Sequence, residues 1–381
     1  MIRVEVKPEL LNWACDRSGC DLDALIQRFP KLQAWERGEI QPTFKQLERF
    51  ASATRTPIGY LFLPEPPIER IPVPDFRTIA DGPIGRPSPD LLDTLYLCQQ
   101  RQEWYRNFAQ SMGEARLSFV GSLRMGNGVV RTAALIRRAL AFDIDERRHL
   151  STWTEALRRF IEQADALGVL VMVSGVVGSN NRRKLNPVEF RGFALVDPLA
   201  PLVFINGTDT KAAQMFTLAH ELVHIWIGQS ALSDAQVSSA PAQRIERWCN
   251  QVAAEFLVPL EAFRAEHDRH AELHSELDRL ARHFKVSTLV ILRRMRDARS
   301  LRGETYWTAY EREVDRLRKL PKSSGGDFYR TLGARAGKRF ARALVSSTLE
   351  GRSSYTEAFR LLGFKKMATF QELGHQLGLT I

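Results

Sequence analysis

The run Phe216-Thr217-Leu218-Ala219-His220-Glu221-Leu222-Val223-His224-Ile225-Trp226 carries two histidines four residues apart, with a glutamate directly after the first. Apolar residues at 216, 218, 222, 223 and 226 predict a helix, and on a helix residues four apart share a face. Two imidazoles so placed can reach a single zinc ion. Glu221, one position past the first histidine, can then touch a water held by that ion without being a ligand, and act as general base. The alternative is that His220 and His224 are ordinary polar positions on an amphipathic helix.

A zinc site that does catalysis needs a third protein ligand and one position left for water. Twenty-two residues after His224, Glu246 opens the helical pattern Glu246-Arg-Trp-Cys-Asn-Gln-Val-Ala-Ala-Glu-Phe-Leu-Val-Pro259 and is the natural candidate. Asn250 lies one turn further along the same face, where it can hold a ligand in place.

The elements that must position these residues can be read on either side of them. Gly168-Val-Leu-Val-Met-Val-Ser, Phe190-Arg-Gly-Phe-Ala-Leu-Val and Pro201-Leu-Val-Phe-Ile-Asn are short runs rich in strand formers and bounded by breakers, which predict a small sheet just before the motif helix. Arg191, beside Gly192 in the second run, is a candidate to guide a substrate strand by edge pairing. After the motif, the polar stretch 228–241 predicts a mobile loop beside the site. Helical patterns follow at 244–257, 260–284 and 287–297, and Leu277 to Met295 has the cadence of a helix-turn-helix. Further upstream, residues 8–55 predict a bundle of short helices with Asp21 and Thr43 as N-caps. Five prolines between Leu63 and Asp75 predict an extended linker and a domain boundary. From Pro89 to about Arg138 the pattern is again helical.

Length, charge and cysteine usage bound the function classes. At 381 residues the chain is long for one core and points to two or three domains. Hydrophobic content of 44% with 26% charged residues is that of a soluble globular protein. No apolar run approaches the roughly 20 residues that span a bilayer. The first residues, Met1-Ile-Arg-Val-Glu-Val-Lys, lack the apolar core of a signal peptide, so the expectation is a cytoplasmic protein without a membrane partner. Cys15, Cys20, Cys98 and Cys249 form no C-x-x-C pair and read as reduced thiols. The net charge is +10, unevenly spread: residues 1–70 carry ten basic and ten acidic side chains, whereas 301–381 carry fifteen against eight. That C-terminal surplus is open to two readings, a nucleic-acid surface or a solvated helical face. Cys249 is either a soft ligand or a small buried helix residue. His267, His270 and His274, interleaved with Glu266, Asp268 and Arg269, are either a second metal cluster or a solvated face.

Three ordered stretches, F-T-L-A-H-E-L-x-H at 216–224, Phe190-Arg-Gly-Phe-Ala upstream and E-x-x-C-N-x-x-A-A-x-x-L-x-P from Glu246, resemble the ImmA/IrrE family of zinc metallopeptidases. The resemblance implies a zincin-like core, Zn²⁺ as cofactor and Glu246 as third ligand. Val223 stands where the family usually has glycine. Trp35-Glu36-Arg37-Gly38, Pro42-Thr43 and Gln46-Leu47 are similar to a Cro/C1-type (XRE) helix-turn-helix, and Leu61-Phe-Leu-Pro-Glu-Pro-Pro, Pro74-Asp-Phe-Arg-Thr, Gly326-Asp-Phe-Tyr-Arg-Thr and Ala343-Leu-Val-Ser-Ser-Thr-Leu-Glu-Gly resemble longer members carrying both modules. About four residues are missing before Trp35, which argues against reading of base edges by that helix. DNA binding through residues 20–55, with Lys31, Gln33, Arg37 and Lys45 as candidate contacts, stands beside protein binding or homodimerisation.

The expected fold is therefore α+β and mostly helical: a helix-turn-helix-like module over 1–65, a linker and helical connector over 66–155, a zincin-like peptidase domain with a small sheet over 156–300, and a basic helical region over 301–381. The expected activity is zinc-dependent cleavage of a regulatory protein, a repressor or antitoxin in a stress, mobile-element or toxin-antitoxin setting. The competing expectation is a transcriptional regulator or antitoxin, with a toxin as partner, whose zincin-like domain binds metal or a partner without efficient proteolysis.

Overall fold

A computed structural model describes residues 3–69, 71–75, 86–233, 244–319 and 333–379. The chain divides into two compact units: Met1–Pro72 with Gly82–Leu95, and Val73–Asp81 with Tyr96–Ile381.

In the first unit four helices, α1 (Pro8–Ser18), α2 (Leu22–Arg28), α3 (Leu32–Glu36) and α4 (Phe44–Ala53), surround a core that includes Leu10, Leu11, Leu25, Leu32, Trp35, Leu47 and Phe50. The expected caps are present. Asp21 accepts the Asp23 N–H, and Thr43 and Gln46 form a reciprocal capping box at α4. Helix α3 has only five residues, of which Leu32 and Trp35 face the core. Five residues rise about 7.5 Å.

The second unit holds the rest of α5 (Pro89–Ser111) from Tyr96 on, then α6 (Val129–Leu140), α7 (Ile144–Arg148) and α8 (Trp153–Leu167). A sheet follows, built from β1 (Leu170–Ser174), β2 (Gly192–Leu195), β3 (Leu202–Asn206) and, beyond α9 (Lys211–Ile227), β4 (Ala231–Ser233). The strand order is β1-β3-β2-β4, with β1 parallel to β3 and β2 antiparallel to both β3 and β4. Every residue of β2 and β3 is buried, so these strands read as unbroken apolar runs rather than as alternation. One sheet face, with Val171, Ala194, Val203 and Ile205, shares a core with α9. On β1, Met172 instead meets Cys98 and Arg101 of α5. The sheet is thus covered on both sides.

Helices α10 (Arg244–Leu257), α11 (Leu260–Glu266), α12 (Leu273–Phe284), α13 (Thr288–Asp297) and α14 (Gly303–Lys319) follow, and then helices Lys338–Leu349, Tyr355–Leu362 and Met367–Gln376. The single helix expected over 260–284 is two. Glu276 turns its carboxylate back to accept the Asp268 N–H, and Glu272 caps the new start through His274 and Ser275, so side-chain acceptors replace the helical ladder between 267 and 272. The helical pattern from 89 to 138 is likewise interrupted between Ser111 and Val129. The turn expected after α12 is present, with Lys285 left-handed, but α13 buries Thr288, Val290, Ile291, Leu292, Arg294 and Met295. A helix so enclosed presents no free face to a groove.

The loop expected over 228–241 contains β4, and its residues from Asp234 on lie outside the described set, as do Phe76-Arg77-Thr78 and Gly326 to Thr331. The C-terminal helices are packed against the core: a Cβ on Gly337 would fall 2.7 Å from the Val171 carbonyl oxygen of β1. An edge strand is thereby covered.

Candidate metal centre

Helix α9 is buried from Gln214 to Trp226 without a gap. It is therefore a core helix, not an amphipathic one with a wet polar face, and the reading of His220 and His224 as surface positions fails. Buried polar groups need partners, and here they are supplied mutually. His220 Nε2 lies 3.1 Å from Glu246 Oε2, His224 Nε2 lies 3.1 Å from Glu246 Oε1, and the two Nε2 atoms are 3.2 Å apart. Among the described residues these three make the one group of His, Cys, Asp or Glu side chains able to share a metal ion, with donor atoms within 4.8 Å of one another.

The ends of α9 are fixed by the chain around them. Thr210 caps its N-terminus through the Ala213 N–H, and Gln214 reaches back to the carbonyls of Gly207 and Asp209. At the C-terminus Gly228 adopts the left-handed conformation that closes a helix, the Gln229 N–H bonds to the His224 carbonyl, and the Gly121 and Leu123 N–H groups take the carbonyls of Ile225 and Trp226. Helix α10, which carries Glu246, stops before Pro259. Its last carbonyls, Glu255, Phe256 and Leu257, accept from Arg137 and Arg147, cations well placed at a helix C-terminus.

Electrostatics follow from this enclosure. Burial raises the Glu246 carboxyl, but the two imidazoles against it outweigh that and hold it well below the usual carboxylate range. His224 is shifted the other way: burial lowers it, with Glu246 and the Gln229 backbone opposing. A neutral imidazole facing an ionised carboxylate is the protonation state a metal ligand set requires. The spacing also fits. Ligands about 2.0 Å from a tetrahedral ion sit about 3.3 Å from each other, close to the observed 3.1–3.2 Å.

Glu221 is fully buried between the two histidines. Above it β2 passes at Gly192, where an added Cβ would come 3.4 Å from Glu221 Cγ. Asn250, one turn past Glu246, is buried on the same helix. Cys249 is fully buried, and burial, then Glu246 and Glu221, raise its thiol well above the ordinary value, so it stays a neutral thiol and stands outside the ligand group. Val223 is enclosed in the core without displacing a ligand.

Other expected residues lie elsewhere. Arg191 precedes β2 and pairs with Asp209 at 3.3 Å. Strand β2 is interior, between β3 and β4, so no substrate strand can add beside it over 192–194. His267 pairs with Glu276 and His274 with Asp278, so the three C-terminal histidines do not converge. Lys31, Gln33, Arg37 and Lys45 are all exposed, with Arg37 3.3 Å from Glu39. Sequence reasoning passed over Gly192 as a packing position, although an isolated glycine in an apolar strand is itself a sign of close backbone approach.

Residues 164–296 match the family model Peptidase M78, described as the IrrE N-terminal-like domain, which spans the sheet, α9 and α10. Residues 336–376 match a second model, a domain of unknown function. No curated protein and no solved structure matches the chain. The first match supports a metallopeptidase-type function at that coarse level.

Proposed function

We propose, with a metallopeptidase-type function as premise, that the chain is a zinc-dependent endopeptidase acting on a regulatory protein such as a repressor or antitoxin. The observation that carries the reading is the convergence of His220, His224 and Glu246 in a fully enclosed helix pair, with Glu221 beside them. His220 Nε2, His224 Nε2 and a Glu246 carboxylate oxygen would hold the ion. Bound there, zinc would supply Lewis acidity toward a substrate carbonyl and a water.

The chain's own groups do the remaining work. Packing of α9 and α10 fixes the three donors, so little reorganisation accompanies binding. Glu221 is placed to take a proton from the attacking water on a carboxylate oxygen and to hand it to the nitrogen of the departing amine. Its burial keeps bulk water from competing for that proton.

The test is Glu221→Gln, which keeps the shape and removes the base. Zinc content should stay at that of the unaltered protein while hydrolysis of a repressor encoded beside the chain drops by about 10²–10⁴. Cleavage by the variant at an undiminished rate would sink the general-base role. Zinc binding by the unaltered protein without any cleavage would favour a regulator that only binds.

A further inference from the structure

Beyond β2 the sheet ends at β4, whose outer edge is occupied by the chain itself. The Leu232 N–H donates to the Pro74 carbonyl at 3.0 Å, and Asp75 bridges Leu232 in parallel register. Ala231 and Leu232 are completely buried, unusual for a three-residue strand at the end of a sheet. This edge belongs to the candidate site: Ser233 pairs with Gly192, the residue that passes over Glu221.

The hold is light. A proline has no N–H, so residue 74 offers the ladder a carbonyl only, and Pro72 lies two residues before it. One bridge with one donated bond is what an extended polypeptide, bringing a full run of donors and acceptors, can displace. Being tethered, the resident segment still enjoys a high effective concentration.

We infer that Val73-Pro74-Asp75 is an intramolecular strap on the sheet edge at which an extended polypeptide substrate pairs, so that strap and substrate compete for Leu232. The inference rests on the peptidase reading for its consequence, not for the occupancy itself. Strap removal frees the Leu232 N–H, and strap strengthening closes it.

Two full-length variants test this. Val73→Gly/Pro74→Gly/Asp75→Gly weakens the strap, and Pro74→Val strengthens it by restoring an N–H at 74. A labelled heptapeptide Ile-Pro-Val-Pro-Asp-Phe-Arg, the sequence of residues 71–77, should bind the glycine variant at least about tenfold more tightly than the unaltered chain, because it no longer meets a tethered competitor. Amide exchange at Leu232 should speed up in the glycine variant and slow down in Pro74→Val. Cleavage of β-casein by the zinc-loaded glycine variant should be about three- to tenfold faster, the range one hydrogen bond spans. Equal peptide affinity, or unchanged Leu232 exchange in both variants, overturns the strap. Faster exchange with unchanged casein cleavage overturns the competition. If the peptide behaves as expected but no form cuts casein or a repressor, the strap stands and the peptidase reading falls.

Discussion

A Cβ built on Gly192 would lie 2.5 Å from Cγ2 of Thr217, so β2 meets α9 backbone to side chain with no room for a methyl group. The Phe204 carbonyl, at 2.8 Å from the same position, closes the other side. Gly192→Ala should therefore cost about 1–3 kcal/mol by overpacking, read as a lower urea midpoint. Thr217→Ser removes the nearer obstacle and leaves the carbonyl, so the double variant should recover part of the loss. Full additivity of the two changes would show that the glycine is not there for Thr217.

The three donors predict a strong coupling of metal to folding. Chelation should lower the thermal midpoint by about 10 °C, the effect of a ligand present at roughly a thousand times its dissociation constant on a unit of this size. Glu246→Gln replaces the carboxylate that both histidines face. Its midpoint should be low already and move little on chelation. A chelator response identical to that of the unaltered chain would remove Glu246 from the ligand set.

How far these features could be read beforehand depended on whether their cause was local. His220, Glu221, His224 and Glu246 were visible because the chemistry of a metal site dictates residue types and helical spacing. Strands β1 to β3 were visible as apolar runs between breakers. Strand β4 was not: Ala231-Leu232-Ser233 sits in a polar stretch, and only pairing with β2 makes it a strand. That same pairing takes the edge on which Arg191 was expected to act. The break at 267–272 was hidden for a related reason, since it depends on Glu276 folding back on Asp268 rather than on a proline or glycine.

Asp165, in the last turn of α8, gives a pH dependence. Burial pushes its carboxyl up to about 7, against the Val171 N–H and the cations of Lys338 and Arg339, which pull it down. The unfolded chain loses that proton at about pH 3.9. Between about pH 4 and pH 7 the folded state holds a proton the unfolded state has lost, so stability falls as pH rises through that window and stays lower above it. Asp165→Asn should stabilise by about 1–3 kcal/mol at about pH 8, less at about pH 6 and hardly at all near pH 4. Urea midpoints across that range decide the matter, and a gain independent of pH would point to another cause.

Arg101 tests whether the C-terminal helices are an appendage or part of the metal-site unit. Its side chain is 3% exposed, yet the groups it donates to are neutral: Nε bonds to the Leu361 carbonyl at 2.9 Å and Nη1 to the Arg335 carbonyl at 2.8 Å, with Met172 Sδ at 3.5 Å. Leu361 lies in the last turn of its helix, where carbonyls lack helical partners and the dipole favours a cation. The guanidinium thus joins α5, β1 and the C-terminal helices through bonds that neither side can replace. Arg101→Met keeps most of the volume but leaves two buried carbonyls unsatisfied, which should cost about 2–4 kcal/mol. Deleting residues 333–381 removes both acceptors and uncovers β1 where Gly337 now lies against Val171, so the truncated chain should aggregate even with every metal-site residue retained. A truncated chain that stays monomeric in light scattering, with the midpoint of the full protein, would show that the sheet does not depend on this cover.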